Sequence, residues 1–305
     1  MSGGDGVNVR QVAIALPPGY RLQDVIAFHS RDSESVAEQV GPQRLRKGVL
    51  LDGAAVELDI AFGPGMAECS VRADAALSAG AAAQAGQALH NILGLRIDPQ
   101  PFADFVGGDA LLAPLVAAQP GLRIVQSASA FEALTWAIIG QQINLPFAIA
   151  LRRTFILQAG RQHSGGLWCY PEAVDVARLD VAQLTARKFS RAKAETLLRL
   201  ARLVDDGALD LALAPGGDVG PVSAALLAVK GIGPWTVNYA LLRGYGYADC
   251  SLHGDVAIRA ALQALLGEPS KPDMARTEQW LARYRPHRTM LAAHLWASLY
   301  QRPHE

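Results

Sequence analysis

The sequence predicts an α+β unit over residues 1–98 followed by an all-α unit over residues 99–305, and three features carry that division. Short apolar stretches, alternating or β-branched and closed by turn residues, fill the first 95 positions. From Pro99 onward the apolar spacing is helical almost throughout. The formal charge also reverses along the chain. Residues 1–120 hold 8 basic and 13 acidic side chains, and residues 121–305 hold 20 and 15. A net charge of zero therefore conceals an acidic first part and a basic second part, a hint of nucleic-acid contact in the latter.

In chain order, residues 9–16 read as a strand ended by Pro17-Pro18-Gly19, and residues 22–28 have helical spacing. Residues 49–51 and 54–62 flank Asp52-Gly53, a two-residue hairpin signal. Another strand at 66–72 follows Gly63-Pro64-Gly65, and the alanine-rich 75–93 reads as a helix stopped by Gly94. Together these make an antiparallel sheet with helices on one face. Beyond Pro99, helices are expected at 102–105, 110–118, 130–140, 146–158, 171–176, 181–185, 190–206, 221–229, 234–245, 255–266, 273–284 and 287–300. Proline stands near the start of several, where its missing N–H costs nothing. The connections are short, as in a compact helical array.

A composition of 50% hydrophobic and 18% charged residues excludes a largely disordered chain. No apolar run approaches the ~18 residues needed to cross a bilayer, and residues 1–10 lack the basic-then-apolar pattern of a signal peptide. A cytoplasmic protein with no membrane association is the expectation. Cys69, Cys169 and Cys250 are too scattered for a disulfide framework or a metal-ligand cluster. No His/Asp/Glu cluster suggests a catalytic metal either, so no cofactor is expected to be required.

The most informative segment is 223–262. Its centre, Val229-Lys230-Gly231-Ile232-Gly233-Pro234-Trp235-Thr236, runs one apolar helix into Gly-Ile-Gly and starts the next with proline. The glycines permit a tight hairpin whose tip is pinned by Ile232, and the new helix aims free N–H groups and its positive dipole end outward. Such a turn suits a phosphate oxygen, and Lys230 adds a charge. An ordinary helix–turn–helix corner has the same pattern. About twenty residues later comes Ser251-Leu252-His253-Gly254-Asp255-Val256-Ala257-Ile258-Arg259. Asp255 by itself reads as a helix N-cap.

At this point the sequence resembles the helix-hairpin-helix DNA glycosylase superfamily, and within it the DNA-3-methyladenine glycosylase II family. The likeness rests on Gly231-Ile232-Gly233-Pro234-Trp235-Thr236-Val237-Asn238-Tyr239, Leu242-Arg243-Gly244 and Asp255. Phe131-Glu132, Ile139-Gly140-Gln141, the run Arg191 to Glu195, Arg288 and His294-Leu295-Trp296 extend it over most of the chain. The resemblance implies a TATA-binding-protein-like first unit (1–98) and an all-α helix-hairpin-helix glycosylase unit (99–305). It implies a monomeric enzyme acting on damaged double-stranded DNA, with 3-methyladenine, 7-methylguanine and related lesions as substrates.

Residue by residue, the resemblance makes Asp255 the catalytic carboxylate, a role compatible with capping. It places Trp235, Tyr239, Trp296 and Phe28 around an extruded base, whereas spacing alone makes Trp235 and Tyr239 a core stripe. Trp136, Trp168 and Trp280 read as packing residues. Lys230, Gly231, Gly233, Thr236, Gln141 and Gln142 are the expected DNA contacts. Gln142 stands where relatives often carry an apolar wedge, and Gly254 where some carry a second acid. Strand-cutting relatives have a lysine at the position of Trp235, so hydrolysis without lyase activity is implied. The carbonyls of Leu227, Val229 and Ile232 match a family site for Na+ or K+. Arg187, Lys188, Arg191 and Lys193, and the group Arg283, Arg285, His287 and Arg288, are candidate phosphate patches. A glycosylase for deaminated or oxidised bases, and a lesion-binding protein without turnover, remain the alternatives.

Overall fold

The computed structural model describes residues 8–300. Its sheet has seven strands: β1 (Asn8–Ala15), β2 (Glu38–Gly41), β3 (Arg44–Leu51), β4 (Ala54–Gly63), β5 (Met66–Ala73), β6 (Arg161–Gln162) and β7 (Trp168–Cys169). The spatial order is β1-β5-β4-β3-β7-β6, with β2 also on β3. Asp52 and Gly53 both take positive φ (51° and 75°) and join β3 to β4 with Leu51 opposite Ala54. That is the conformation a two-residue hairpin demands. Along β4, Val56, Leu58, Ile60 and Phe62 are buried. They belong to one core with Ala81, Ala85, Ala88, Leu89 and Ile92 of the helix Ala79–Ile92. Ser78 caps that helix by accepting from the Ala81 N–H, which is why it starts later than the alanine run suggests.

Two differences from the sequence expectation concern the sheet. β2 and the start of β3 went unread because Glu38, Gln39, Arg44 and Arg46 interrupt the apolar alternation. The stretch from 99 is also not purely α, because β6 and β7 fall within it and β7 pairs parallel to β3 at Gly48. A Cβ at Gly48 would stand 2.3 Å from the Trp168 carbonyl oxygen, so glycine is what lets this segment reach the sheet.

The helices after Gly94 surround a second core. It runs from Ile97 to Leu295 and takes in Ala37, while the sheet core takes in Val125. The two cores thus exchange residues across the division near 98. No helix among the described residues is long and apolar enough to cross a membrane.

A buried ionic quartet fastens the sheet to the helices. Lys47 Nζ lies 2.7 Å from Glu38 Oε1 and 3.0 Å from Glu132 Oε1. Arg152 Nη2 lies 2.8 Å from Glu132 and 3.2 Å from Glu38. Burial pushes both carboxyls up, but Arg152 and Lys47 outweigh it and hold each below the usual carboxylate range. Two cations meet two anions, so the group is neutral although it is almost dry. Lys47→Met leaves both carboxylates sharing Arg152 and is expected to cost about 3–5 kcal/mol of stability, read from urea unfolding midpoints.

Candidate active site

The hairpin joins the helices Gly220–Leu227 and Pro234–Ala240. Gly231 has φ +99°, and a Cβ there would fall 2.1 Å from Thr196 Oγ1. A side chain is excluded twice over, by backbone strain and by contact. Ile232 is buried at the tip, while Lys230 is exposed. Gly233 is the N-cap of the second helix, and a Cβ on it would meet nothing within 4 Å. Its outer surface is therefore open to a close approach.

Gln141 ties this hairpin to the turn after the helix Ala130–Gly140. Its Nε2 donates to the Gly231 carbonyl at 3.1 Å and to Thr236 Oγ1 at 2.9 Å. Thr236 is buried, so it holds Gln141 from beneath and is not itself on the surface expected to face DNA. Gln142 is exposed and held at φ +55°, a left-handed conformation uncommon outside glycine. Among the hairpin carbonyls, Lys230 accepts from Arg199 and Val229 accepts from the Ile232 N–H.

Asp255 is the N-cap of the helix Val256–Leu266, with Oδ1 accepting from the Ala257 and Ile258 N–H groups at 3.0 Å each. Two indoles converge on the same carboxylate. Trp235 Nε1 donates to Oδ2 at 2.9 Å, and Trp296 Nε1 donates to Oδ1 at 3.2 Å. The carboxylate is only half-buried.

The expected aromatic residues do come together beside it. Trp235 and Tyr239 stack with ring centroids 5.2 Å apart, and Trp296 meets Tyr239 edge-on at 6.4 Å. Phe28 reaches the group from the helix Leu22–His29 through Arg243, whose Cζ lies 5.0 Å from the Phe28 centroid and 5.7 Å from that of Trp296. Arg243 sits in a π-helical turn, Leu241–Tyr245, that prolongs the hairpin's second helix. Such bulges are frequent at functional sites. A cavity of about 40 Å³ adjoins Phe28, His29, Ser127 and Trp136.

Sequence reasoning missed two members of this cluster. Trp136, read as packing, donates from Nε1 to the Tyr239 hydroxyl at 3.1 Å. Arg243 was noted only within a family block. Trp235, Tyr239 and Arg243 recur every four residues, and that spacing is the signal that puts all three on one helix face. For Trp136 no local signal exists, since its partner lies 103 residues away.

The basic groups are partly redirected inward. Lys193 donates from Nζ to the Ile139 carbonyl at 2.7 Å, and Arg191 pairs with Glu195. Arg187 and Lys188 remain exposed. Arg288 pairs with Asp249 at 2.6 Å, and Arg283 lies over Trp280. A cleft of about 870 Å³ opens at the other end of the helix Ala130–Gly140, lined by Ala130, Tyr170, Gly216 and Tyr247. Asp255 and its aromatic neighbours do not line it, and the convergent donors make the Asp255 cluster the candidate site.

Capping and any chemical role of Asp255 are separable. Asparagine keeps the capping oxygen but turns an NH2 toward the Trp235 indole, so Asp255→Asn is expected to lose about 1–2 kcal/mol, and Asp255→Ala, which gives up the cap as well, at least as much. Thermal and urea unfolding of the two variants check this.

Over 215 residues the chain is 28% identical to a DNA-3-methyladenine glycosylase of Bacillus subtilis, a match covering 70% of this chain and 71% of the relative. It is 29% identical over 187 residues to DNA-3-methyladenine glycosylase 2 of Escherichia coli, covering 61% and 63% of the two. Among solved structures, the 3-methyladenine DNA glycosylase of Archaeoglobus fulgidus shares the fold, with a TM-score of 0.79 at 21% identity, covering 95% of this chain and 98% of that one. No family model matches the chain. Added to the hairpin and the capped aspartate beyond it, these likenesses make the chain similar in sequence to DNA-3-methyladenine glycosylases and similar in fold to a 3-methyladenine DNA glycosylase.

Proposed function

We propose that this protein is a monofunctional DNA glycosylase that extrudes alkylated bases from duplex DNA and hydrolyses their N-glycosidic bonds. One observation carries the reading: the Asp255 carboxylate, held by two backbone and two indole N–H groups, stands beside an aromatic cluster and one short helix from the phosphate-suited hairpin. The names of the relatives point to 3-methyladenine, and 7-methylguanine and related weakened purines fit the same chemistry.

In this reading Gly231, Gly233 and Lys230 receive a phosphate through backbone N–H groups, helix dipole and charge. Gln141, braced on Thr236, sets the turn against the hairpin. Exposed Gln142 enters the gap left by the extruded nucleotide and offers an amide to the orphaned partner. The base stacks within reach of Trp235, Tyr239, Trp296 and Phe28.

As the C1′–N bond breaks, its electron pair leaves with the base and the sugar becomes oxocarbenium-like. Asp255 stabilises that charge and orients a water, whose oxygen bonds C1′ while its proton passes to the carboxylate or to solvent. Four donors leave the carboxylate little freedom, so it needs no reorganisation as charge develops. The indole of Trp235 has no amine with which to form a Schiff base.

The same reading takes the protein as a cytoplasmic monomer with units 1–98 and 99–305 and no required cofactor. The Leu227, Val229 and Ile232 carbonyls are candidates for one Na+ or K+. Of these, the Val229 carbonyl already accepts from the Ile232 N–H, as the Lys230 carbonyl does from Arg199 and the Gly231 carbonyl from Gln141.

Base release from methylated duplex DNA tests the proposal. Asp255→Asn is expected to slow release by at least about a hundredfold, the scale of losing one preorganised electrostatic group, with folding intact. Equal release by both proteins removes Asp255 from the mechanism. Lesion binding without release by the parent favours a sensor, and strand breakage without added base or heat contradicts monofunctional hydrolysis.

A further inference from the structure

Resting on the glycosylase reading above, we propose that His29 is a specificity-determining residue whose Nε2 accepts a hydrogen bond from the exocyclic amine of an extruded alkylated purine. The starting observation is an orphaned ring nitrogen. His29 is 2% exposed and closes the helix Leu22–His29. Its Nδ1 lies 3.3 Å from Glu38 Oε1, while its Nε2 is buried with no partner among the described residues. The ring lines the cavity of about 40 Å³ beside Phe28 and Trp136. Of the residues around that cavity, His29 alone leaves a buried side-chain nitrogen or oxygen unpartnered.

Three carboxylates share the cavity wall, and each is already answered by a cation. Glu38 and Glu132 face Lys47 and Arg152, and Asp32 faces Arg153. The wall therefore does not call for a further charge. Burial lowers the pKa of His29 and outweighs the opposing pull of Glu38, so the ring stays neutral. Ionised Glu38 can only accept, which puts the one ring proton on Nδ1 and leaves Nε2 a bare lone pair. A buried acceptor without a donor costs free energy that an N–H from a ligand would recover.

The size and place of the cavity say what can enter. It has room for a few waters at most, and so for an amino group but not for a whole purine. Phe28 forms part of its wall and also meets Arg243, whose guanidinium lies against Trp296. Trp136, on the same wall, donates to the Tyr239 hydroxyl. A base stacked among these rings has one edge at the cavity mouth. Methylation at N3 of adenine puts part of the positive charge on the 6-amino group, and a charge-assisted hydrogen bond is roughly twice as strong as a neutral one. His29 thus favours cationic purines that bear an amine over lesions that present a hydrogen or a carbonyl oxygen there.

The test uses the full chain and two duplex probes, one containing 3-methyl-3-deazaadenine and one 3-methyl-3-deazapurine, in which hydrogen replaces the amine. Carbon in place of N3 leaves both rings neutral and poor leaving groups, so equilibrium binding is read without cleavage. The parent is expected to bind the amine probe about tenfold more tightly than the other. His29→Phe, which keeps a ring but no acceptor, is expected to bring the two within about twofold. Equal affinity of the parent for both probes overturns the proposal. So does a preference that survives in His29→Phe, which marks His29 as a packing residue.

A second readout needs no variant. Nitrogen NMR of the parent labelled in its histidines is expected to show His29 protonated on Nδ1 and bare on Nε2. The Nε2 signal is expected to move when the amine probe binds and to stay when the other does. A proton on Nε2 in the free protein, or the same response to both probes, overturns the proposal. Base release from methylated duplex DNA is followed alongside. Should the parent release nothing while the amine preference is present and lost in His29→Phe, the glycosylase reading falls and the His29 contact stands.

Discussion

The Asp255 carboxylate is the junction on which the site depends. Its four hydrogen bonds come from its own helix, from Trp235 on the hairpin's second helix, and from Trp296 on the last helix, Arg288–Tyr300. Three helices are thereby referred to one anion. The two indoles cannot turn without giving up a charge-assisted bond, which is roughly twice as strong as a neutral one. The aromatic walls are consequently set by the group around which the chemistry is proposed to occur. Capping also places the carboxylate at the positive end of a helix, where negative charge is favoured. Folding and the proposed chemistry ask the same thing of this residue.

Behind that junction the fold treats its buried charges in two ways. Between sheet and helices, Lys47, Arg152, Glu38 and Glu132 neutralise one another, and Tyr170 lies against Arg152. Such a group contributes geometry more than net stability, since its desolvation offsets most of the attraction. Its geometric effect is to fix the helix Ala130–Gly140, which carries Glu132 at its start, Trp136 in its middle and the Gln141 turn at its end. Arg243 receives no such compensation. A fold able to surround one arginine with two glutamates has left another with a carbonyl and aromatic rings.

Much of this was legible in the sequence, and the illegible part has a common cause. Asp52-Gly53, the alanine-rich helix and the Gly231–Gly233 hairpin are local features, each specified by a few adjacent residues whose backbone preferences are strong. Ser129, Asn144, Ser190 and Asp273 act as caps where the helical spacing begins, so those boundaries could be read within a residue or two. β6 and β7 were not readable, because the place of β7 on the sheet depends on what Gly48 leaves vacant, and β2 was not because Glu38 and Gln39 break the apolar alternation. Within the candidate site, Asp255, Trp235, Tyr239 and Trp296 were named through the resemblance, and the structure brings them together. Trp136 was misread because only its distant hydrogen bond to Tyr239 distinguishes it from a core tryptophan. Lys193 was misread for the converse reason: a lysine in a basic run looks solvated until its ammonium is found on the Ile139 carbonyl.

The balanced net charge follows from the same economy. A protein that grips a polyanion through a broad cationic surface carries its affinity in released counterions and loses it steeply with salt. Here 28 basic side chains meet 28 acidic ones, and several of the basic ones are turned to internal work: Arg152 and Lys47 in the quartet, Lys193 on a helix end, Arg288 on Asp249. In the proposed reading, what remains for phosphate is a few exposed cations, Lys230 among them, together with backbone N–H groups at a glycine whose outer face is open. Backbone donors carry no side-chain entropy and stay in place without a ligand. In the proposed reading, a hairpin of this kind positions a strand with little charge, leaving discrimination between bases to the residues around Asp255.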